Sequence, residues 1–282
     1  MENNFEQIFA DLVDDKIEHD RAKKTLLNMN EQGFSAEMFI AAVKVLKSRM
    51  RAIETNLDVI DVCGTGGDKL STLNVSTAVC FVLAGCGVHV AKHGNKAISS
   101  NSGSADIFSE LGIQVSDNEQ KISENLQRHN LSFLFAPLFH KSLAGVAKLR
   151  KEIASEYKVP TIFNYLGPLL NPTNTKTQLI GVSNRQIMQQ MAVSLANNPE
   201  TKAYLVHGFD GMDEVTICDN SYLIKVENGQ VSDEQIINPE EYGFNKSPIS
   251  QIQGQDPKYN AKKLIDLLNG EKSAYRDIVV LN

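Results

Sequence analysis

No apolar run in this chain approaches the roughly 20 residues that a membrane-spanning helix needs, and the charged start (Glu2, Glu6, Asp11) does not read as a secretory signal. Internal repeats and low-complexity tracts are also missing, which excludes a repeat architecture. Cysteine is scarce. Cys63, Cys80, Cys86 and Cys218 show no CxxC spacing and sit in apolar runs or beside glycines. Buried, reduced thiols of a cytoplasmic protein are expected, not a thiolate metal site. Positive charge is in deficit: Lys and Arg number 28 against 34 Asp and Glu, a net charge of −6. That argues against nucleic-acid binding as the role of the whole chain and leaves room for a local basic pocket.

The 282 residues, 42% hydrophobic and 22% charged, fit one large domain or two unequal ones of an ordinary globular protein. Residues up to about 50 follow helical spacing: Phe5, Ile8, Phe9, Leu12 and Val13, then Phe39, Ile40, Val43, Leu46 and Met50. Gly33 and Ser35 mark a stop and an N-cap between helices. From Leu57 onward, short apolar runs (57–62, 87–91, 132–136, 178–182, 203–207) alternate with helical stretches (74–85, 104–111, 118–129, 184–196). The pattern predicts an α/β fold: a small helical domain over 1–56, then a large α/β domain over 57–282 with a mostly parallel sheet flanked by helices. Val215–Cys218 and Tyr222–Val226 around Asp219-Asn220-Ser221 read as a hairpin, and Asn228-Gly229 as a further turn.

Three segments carry chemistry. Asp61-Val62-Cys63-Gly64-Thr65-Gly66-Gly67-Asp68 joins a strand to a glycine turn and a helix starting near Asn74. Bare N–H groups and the helix dipole make such a junction an anion site. Asp68 would repel that anion unless a cation or a sugar hydroxyl intervenes, so a sugar phosphate or a metal-bound pyrophosphate is indicated. A tight turn with packing glycines is the plainer alternative, but Asn74-Val75-Ser76-Thr77 brings three hydrogen-bonding side chains to the first helical turn, of which a cap needs one. Lys92-His93-Gly94-Asn95-Lys96 with Ser99-Ser100-Asn101-Ser102-Gly103-Ser104 follows a strand, at the edge where open α/β sheets bind ligands. A solvated loop explains its serines; the glycines interleaved with charge favour a second anion-contacting loop. Gly211-Met212-Asp213-Glu214 follows the strand candidate at 203–207, and adjacent carboxylates there suit Mg2+; an exposed acidic turn is the alternative. Arg150 reads by default as a surface charge, His140 as a satisfied loop histidine, and Asn164–Pro172 as a turn-rich connector or hinge.

In this order the motifs resemble the anthranilate phosphoribosyltransferase family. The resemblance rests on residues 64–68, 74–77, 92–95, Ser99 to Asp106, Phe135-Ala136-Pro137 with His140, Thr161 to Asn164, Leu166 to Leu169, Asn171-Pro172 and 211–214, and it covers most of 57–226. It implies a cytoplasmic homodimer of the nucleoside-phosphorylase type, with helices from about 140–160 joining the small domain. It implies transfer of phosphoribose from phosphoribosyl pyrophosphate (PRPP) to anthranilate in tryptophan biosynthesis. By position, PRPP would meet Gly64, Gly67, Asp68, Thr72, Asn74, Val75, Ser76, Thr77, Lys92, His93, Gly94, Asn95, Lys96, Ala97, Ile98, Ser99, Ser100 and Ser104. Ser76, Asp213 and Glu214 would hold Mg2+. Gly64, Asn95, His140 and Arg150 would meet anthranilate, and no general acid or base is implied. The family pattern departs at Lys151–Pro160, which looks longer than usual, and at Leu143, where many members carry tyrosine. Family chains continue past Asn282, so the large domain is expected to be short at its C-terminus. A pyrimidine nucleoside phosphorylase-like enzyme and a catalytically silent nucleic-acid-binding paralogue are the alternatives.

Overall fold

The computed structural model describes residues 4–97 and 101–282; Ile98, Ser99 and Ser100 of the expected PRPP loop lie outside the described residues. Three helices come first: α1 (Phe5–Val13), α2 (His19–Gln32) and α3 (Ala36–Arg49). Gly33 ends α2 at φ 81°, and the Ser35 hydroxyl accepts the Met38 N–H at 3.4 Å to cap α3, as the sequence predicts. Phe9 and Phe39 lie within 1% of full burial. Each such side chain contributes about 2–3 kcal/mol, which is what holds these short helices together.

The α/β alternation then follows: β1 (Ile60–Gly64), α4 (Val75–Gly85), β2 (Val90–Gly94), α5 (Ser104–Glu110), α6 (Glu119–His129), β3 (Leu131–Phe135) and the short α7 (Ala136–Phe139). Next come α8 (Ala144–Glu156), β4 (Thr177–Gly181), α9 (Arg185–Ala196), β5 (Lys202–Gly208), β6 (Ser221–Glu227), β7 (Gln230–Val231), β8 (Gln235–Ile237), α10 (Pro257–Leu268) and α11 (Ala274–Leu281). The strand order is β3-β2-β1-β4-β5-β6-β7, with β8 also on β6. The first five strands in that order are parallel and the rest antiparallel.

One apolar cluster joins α4, α10 and α11 to β1 and β2; another joins α1–α3, α8 and α9 to β4–β6. Helix α8 is tied to α2 by Lys23 Nζ, which donates to Glu152 and Glu156 at 2.6 Å each.

Three expectations are corrected. Strands β1 and β2 begin three residues later than the runs at 57–62 and 87–91: Leu57 and Val59 pack with Ile122, Leu126 and Phe139, while Gly87 (φ 86°) and Val88 still bond back to the end of α4 through Ala84 O and Leu83 O. Lys92, His93 and Gly94 are therefore strand residues and not loop. Val215–Cys218 is not a strand. The hairpin is β5–β6, from Ala203↔Val226 to Gly208↔Ser221, and 209–220 is its connection. There side chains take the backbone groups a ladder would use. Ser221 Oγ accepts Thr216 N–H (2.9 Å), Thr216 Oγ1 accepts Cys218 N–H (2.9 Å), and the Asn282 amide holds both N and O of Val215. Third, Cys63 and Cys80 are buried, but Cys86 is exposed where α4 ends and Cys218 is half-buried. The Asn228-Gly229 turn is present, with φ 54° and 72°.

Candidate active site

Strand order reverses between β1 and β4, so a crevice opens beyond their C-terminal ends, where open α/β sheets bind ligands. Gly64 and Gly181 stand opposite each other there. A Cβ on Gly64 would lie 2.3 Å from Asp213 Oδ2, and one on Gly181 would lie 1.5 Å from the Asp213 carbonyl oxygen. Glycine at both positions is what lets the 211–214 segment reach the cradle.

The turn itself is cross-braced. Thr65 N–H donates to Gly181 O (2.9 Å), Ser183 Oγ to Gly66 O (2.7 Å), and Gly66 N–H to Asp213 Oδ2 (2.7 Å). Gly66 and Gly67 take φ 66° and 85°. Asp68 accepts Leu70 N–H at 3.1 Å, and Gln253 Nε2 grips the carbonyls of Leu70 and Ser71 beside Thr72.

At the start of α4, none of the three expected side chains caps. Asn74 instead spans outward, donating to Ser102 O (3.0 Å) and accepting from Asn260 Nδ2 (3.0 Å). The cap is Glu214, whose Oε1 accepts the Ser76 N–H at 3.1 Å. Asp213 and Glu214 are thus no exposed acidic turn. Both carboxylates meet backbone N–H groups of the crevice, one in the glycine turn and one at the helix N-terminus. Burial first, then the Asp68 charge, pushes Asp213 up to about 7. Burial and then the Asp213 charge push Glu214 up to about 8, against the pull of Lys92.

Lys92 is 2% exposed, and its ammonium donates to Val62 O (2.7 Å) and Ser76 Oγ (3.3 Å). Its charge reaches the crevice through Ser76. His93 is buried too. Asn95, Lys96 and Asn101 are exposed among the described residues of this loop. Asp106 closes it by accepting the N–H groups of Ala97 (3.1 Å) and Gly103 (2.9 Å). Gly94 admits Ser104 Oγ, which donates to Asn95 O at 3.3 Å.

A second cluster lies beside it. The His93 and His140 rings stack edge-on with centroids 5.1 Å apart. Each ring bonds a carbonyl of the 161–173 connector: His93 Nδ1 to Gly167 O (3.1 Å) and His140 Nε2 to Leu170 O (2.8 Å). A carbonyl only accepts, so these nitrogens carry the protons. Burial, then His140, lowers His93 to about 3, and burial lowers His140. Both rings are neutral near pH 7, and His93 Nε2 and His140 Nδ1 hold lone pairs with no protein partner. Arg150 on α8 is no free surface charge. Its Nε is buried without a partner and its guanidinium lies 5.9 Å from the Phe163 ring centroid.

The fold therefore brings together Gly64, Gly67, Asp68, Ser76, Lys92, Asp213 and Glu214 around the crevice, and His93 with His140 beside it. Sequence reasoning missed Ser183, although it follows the strand run at 178–182 on the same edge, and that position was a usable signal. It quoted Asp61 and Asn171 within its motifs but gave them no role, because the bond between them joins positions 110 residues apart.

Residues 56–282 match the family model described as "Glycosyl transferase family, a/b domain". The chain is 38% identical over 276 residues to the anthranilate phosphoribosyltransferase of Ruminiclostridium cellulolyticum, covering 98% of this chain and 80% of that protein. It is 40% identical over 258 residues to the one from a Thermoanaerobacter species, covering 91% and 75%. Among solved structures, the anthranilate phosphoribosyltransferase of Thermus thermophilus superposes with a TM-score of 0.89 at 31% identity, covering 98% of this chain and 82% of that one. The Saccharomyces cerevisiae enzyme in complex with PRPP and Mg superposes at 0.84 and 26% identity, covering 97% and 79%.

Proposed function

This chain belongs to the anthranilate phosphoribosyltransferase family, and from that premise we propose how its residues transfer phosphoribose from PRPP to the amine of anthranilate, releasing pyrophosphate, in tryptophan biosynthesis. The observation that carries the reading is the double reach of one acidic segment. Asp213 meets the glycine turn at Gly66 N–H, and Glu214 meets the α4 N-terminus at Ser76 N–H. A crevice of N–H groups with two carboxylates inside it suits an anion that arrives with a cation.

Ser76, Asp213 and Glu214 fit Mg2+. They are hard oxygen donors, and two like charges buried together are relieved by a divalent ion. Bound there, Mg2+ supplies Lewis acidity toward the diphosphate leaving group. In this reading Gly64, Gly67, Asp68, Thr72, Asn74 to Thr77, Lys92 to Ala97 and Ser104 carry PRPP. Their backbone and hydroxyl donors stabilise charge on the departing diphosphate while ribose C1 becomes cationic.

Gly64, Asn95, His140 and Arg150 carry anthranilate. The unpartnered Arg150 guanidinium suits its carboxylate, and the neutral histidines offer lone pairs to its amine. That amine is neutral at pH 7, so orienting it supplies most of what the acceptor side must do. The reading includes a homodimer, a cytoplasmic location and a helical unit of residues 1–56 with about 140–160, all on the strength of the family resemblance; sedimentation tests the first. Among the described residues no helix is long and apolar enough to cross a membrane.

The test is anthranilate fluorescence in the presence of PRPP and Mg2+. The signal should decay with protein present and persist when PRPP is withheld. Phosphorolysis of thymidine or uridine with no anthranilate consumption would overturn the reading.

A further inference from the structure

We propose that Asp61 and Asn171 act as a positioning clamp that fixes which nitrogen of His93 and of His140 carries the proton; the catalytic consequence rests on the anthranilate reading above. Asp61 lies in the central strand β1 and is 0% exposed. The β1–β2 ladder registers a single pair, Ile60↔Val90, and beyond it side chains replace the ladder. Asp61 Oδ1 accepts the His93 N–H of β2 at 3.1 Å. Asp61 Oδ2 accepts Asn171 Nδ2 at 2.8 Å, and the same amide nitrogen donates to Ala91 O at 2.8 Å. Asn171 is thus wedged between the strands. Its Oδ1 accepts both N–H and hydroxyl of Thr173, at 2.9 and 2.7 Å.

A buried carboxylate is an expensive way to join two strands when apolar residues would serve. What this one adds is a fixed position for the connector. Leu170, the residue before Asn171, presents the carbonyl that bonds His140 Nε2–H, and Gly167 presents the one that bonds His93 Nδ1–H. Asp61 also holds the backbone of His93 itself. One clamp therefore holds the His93 end of the His93–Gly167 bond and, through Asn171 next to Leu170, the carbonyl end of the His140–Leu170 bond, while the Leu170 N–H on Gly167 O (3.2 Å) links the two carbonyls in one turn. It leaves His93 as the Nδ1–H tautomer, His140 as the Nε2–H tautomer, and one lone pair bare on each ring.

Nitrogen NMR of histidine-labelled protein reads each tautomer directly. The intact chain should show those two forms. Asn171→Ala should mix tautomers at both rings and raise the anthranilate KM about tenfold, the scale of one lost hydrogen bond, with the PRPP KM within about twofold. Thr173→Val keeps the shape and removes only the hydroxyl bond to Asn171, so it should move the same signals less; it keeps the test open if Asn171→Ala does not fold. Unchanged ring-nitrogen shifts in a folded variant would overturn the clamp. Mixed tautomers with unchanged anthranilate kinetics would support the clamp and count instead against the acceptor reading of the histidines.

Discussion

The crevice between β1 and β4 and the histidine cluster beside it solve opposite problems. In the crevice the polar groups are braced against one another: Gly66 N–H on Asp213, Ser76 N–H on Glu214, Ser183 on Gly66. In the cluster, His93 Nε2 and His140 Nδ1 are buried without partners, as are Ser142 Oγ and Arg150 Nε on the segment that follows His140. Unpaired buried polar atoms cost stability, and in the proposed reading a ligand supplies the missing bonds. The braced half suits a donor that brings its own charge and cation. The unsatisfied half suits an acceptor with one carboxylate and one amine. In the proposed reading two substrates meet two kinds of preorganisation, one built from backbone and the other from unpaired side-chain atoms.

That contrast breaks most severely at Gly181. Gly181→Ala puts a methyl into the Asp213 carbonyl, and the acidic segment must move. Activity should fall by about 100-fold or more, as for misplacements of about 1 Å, with stability lower by roughly 1–3 kcal/mol, checked by kinetics and thermal unfolding. Next is the double change Asp213→Asn with Glu214→Gln. It keeps the hydrogen-bonding shape and removes both charges; turnover should fall by about 100-fold, comparable to losing one key electrostatic contact, and the Mg2+ titration should flatten. An unchanged titration would remove these residues from the metal site.

On the other side, Arg150→Ala should raise the anthranilate KM about 10- to 100-fold, the scale of a charge-assisted bond, with the PRPP KM nearly unchanged. Equal effects on both would erase the proposed division.

The smallest effect is in pH. His93 is held neutral, at about 3 against an ordinary value near 6.5. Between those values the unfolded chain binds a proton that the folded chain refuses. Stability should therefore be full above about 6.5 and decline as pH falls, by at most about 1.4 kcal/mol per pH unit for this group. His93→Gln should show a shallower decline in melting temperature from pH 6.5 to 5; an identical slope would contradict a buried neutral ring.

The two regions also differed in how far the sequence revealed them. The glycine turn, the start of α4 and the acidic segment were legible because glycines, helical periodicity and position at a strand end are local signals. The capping role of Glu214 was not, since its partner Ser76 is 138 residues away. Lys92 and His93 were read as part of an anion-contacting loop because the apolar run that marks the strand stops at Ala91. They remain in β2 because Val62 O accepts the ammonium and Asp61, far upstream, accepts the His93 N–H. Arg150 carried no mark of burial in its sequence, and contact with Phe163 of the connector is what removes it from the surface. Val215–Cys218 alternated like a strand, yet Ser221 and Asn282 satisfied its backbone first.

The most direct test is a crystal structure with PRPP, Mg2+ and anthranilate bound together. The account predicts the diphosphate at the α4 N-terminus among residues 64–77, the metal on Asp213 and Glu214, and the anthranilate carboxylate on Arg150 with its amine toward the two imidazoles. A donor seated away from residues 64–77 and 92–104, or an acceptor leaving the histidine and arginine atoms unpaired, would contradict it.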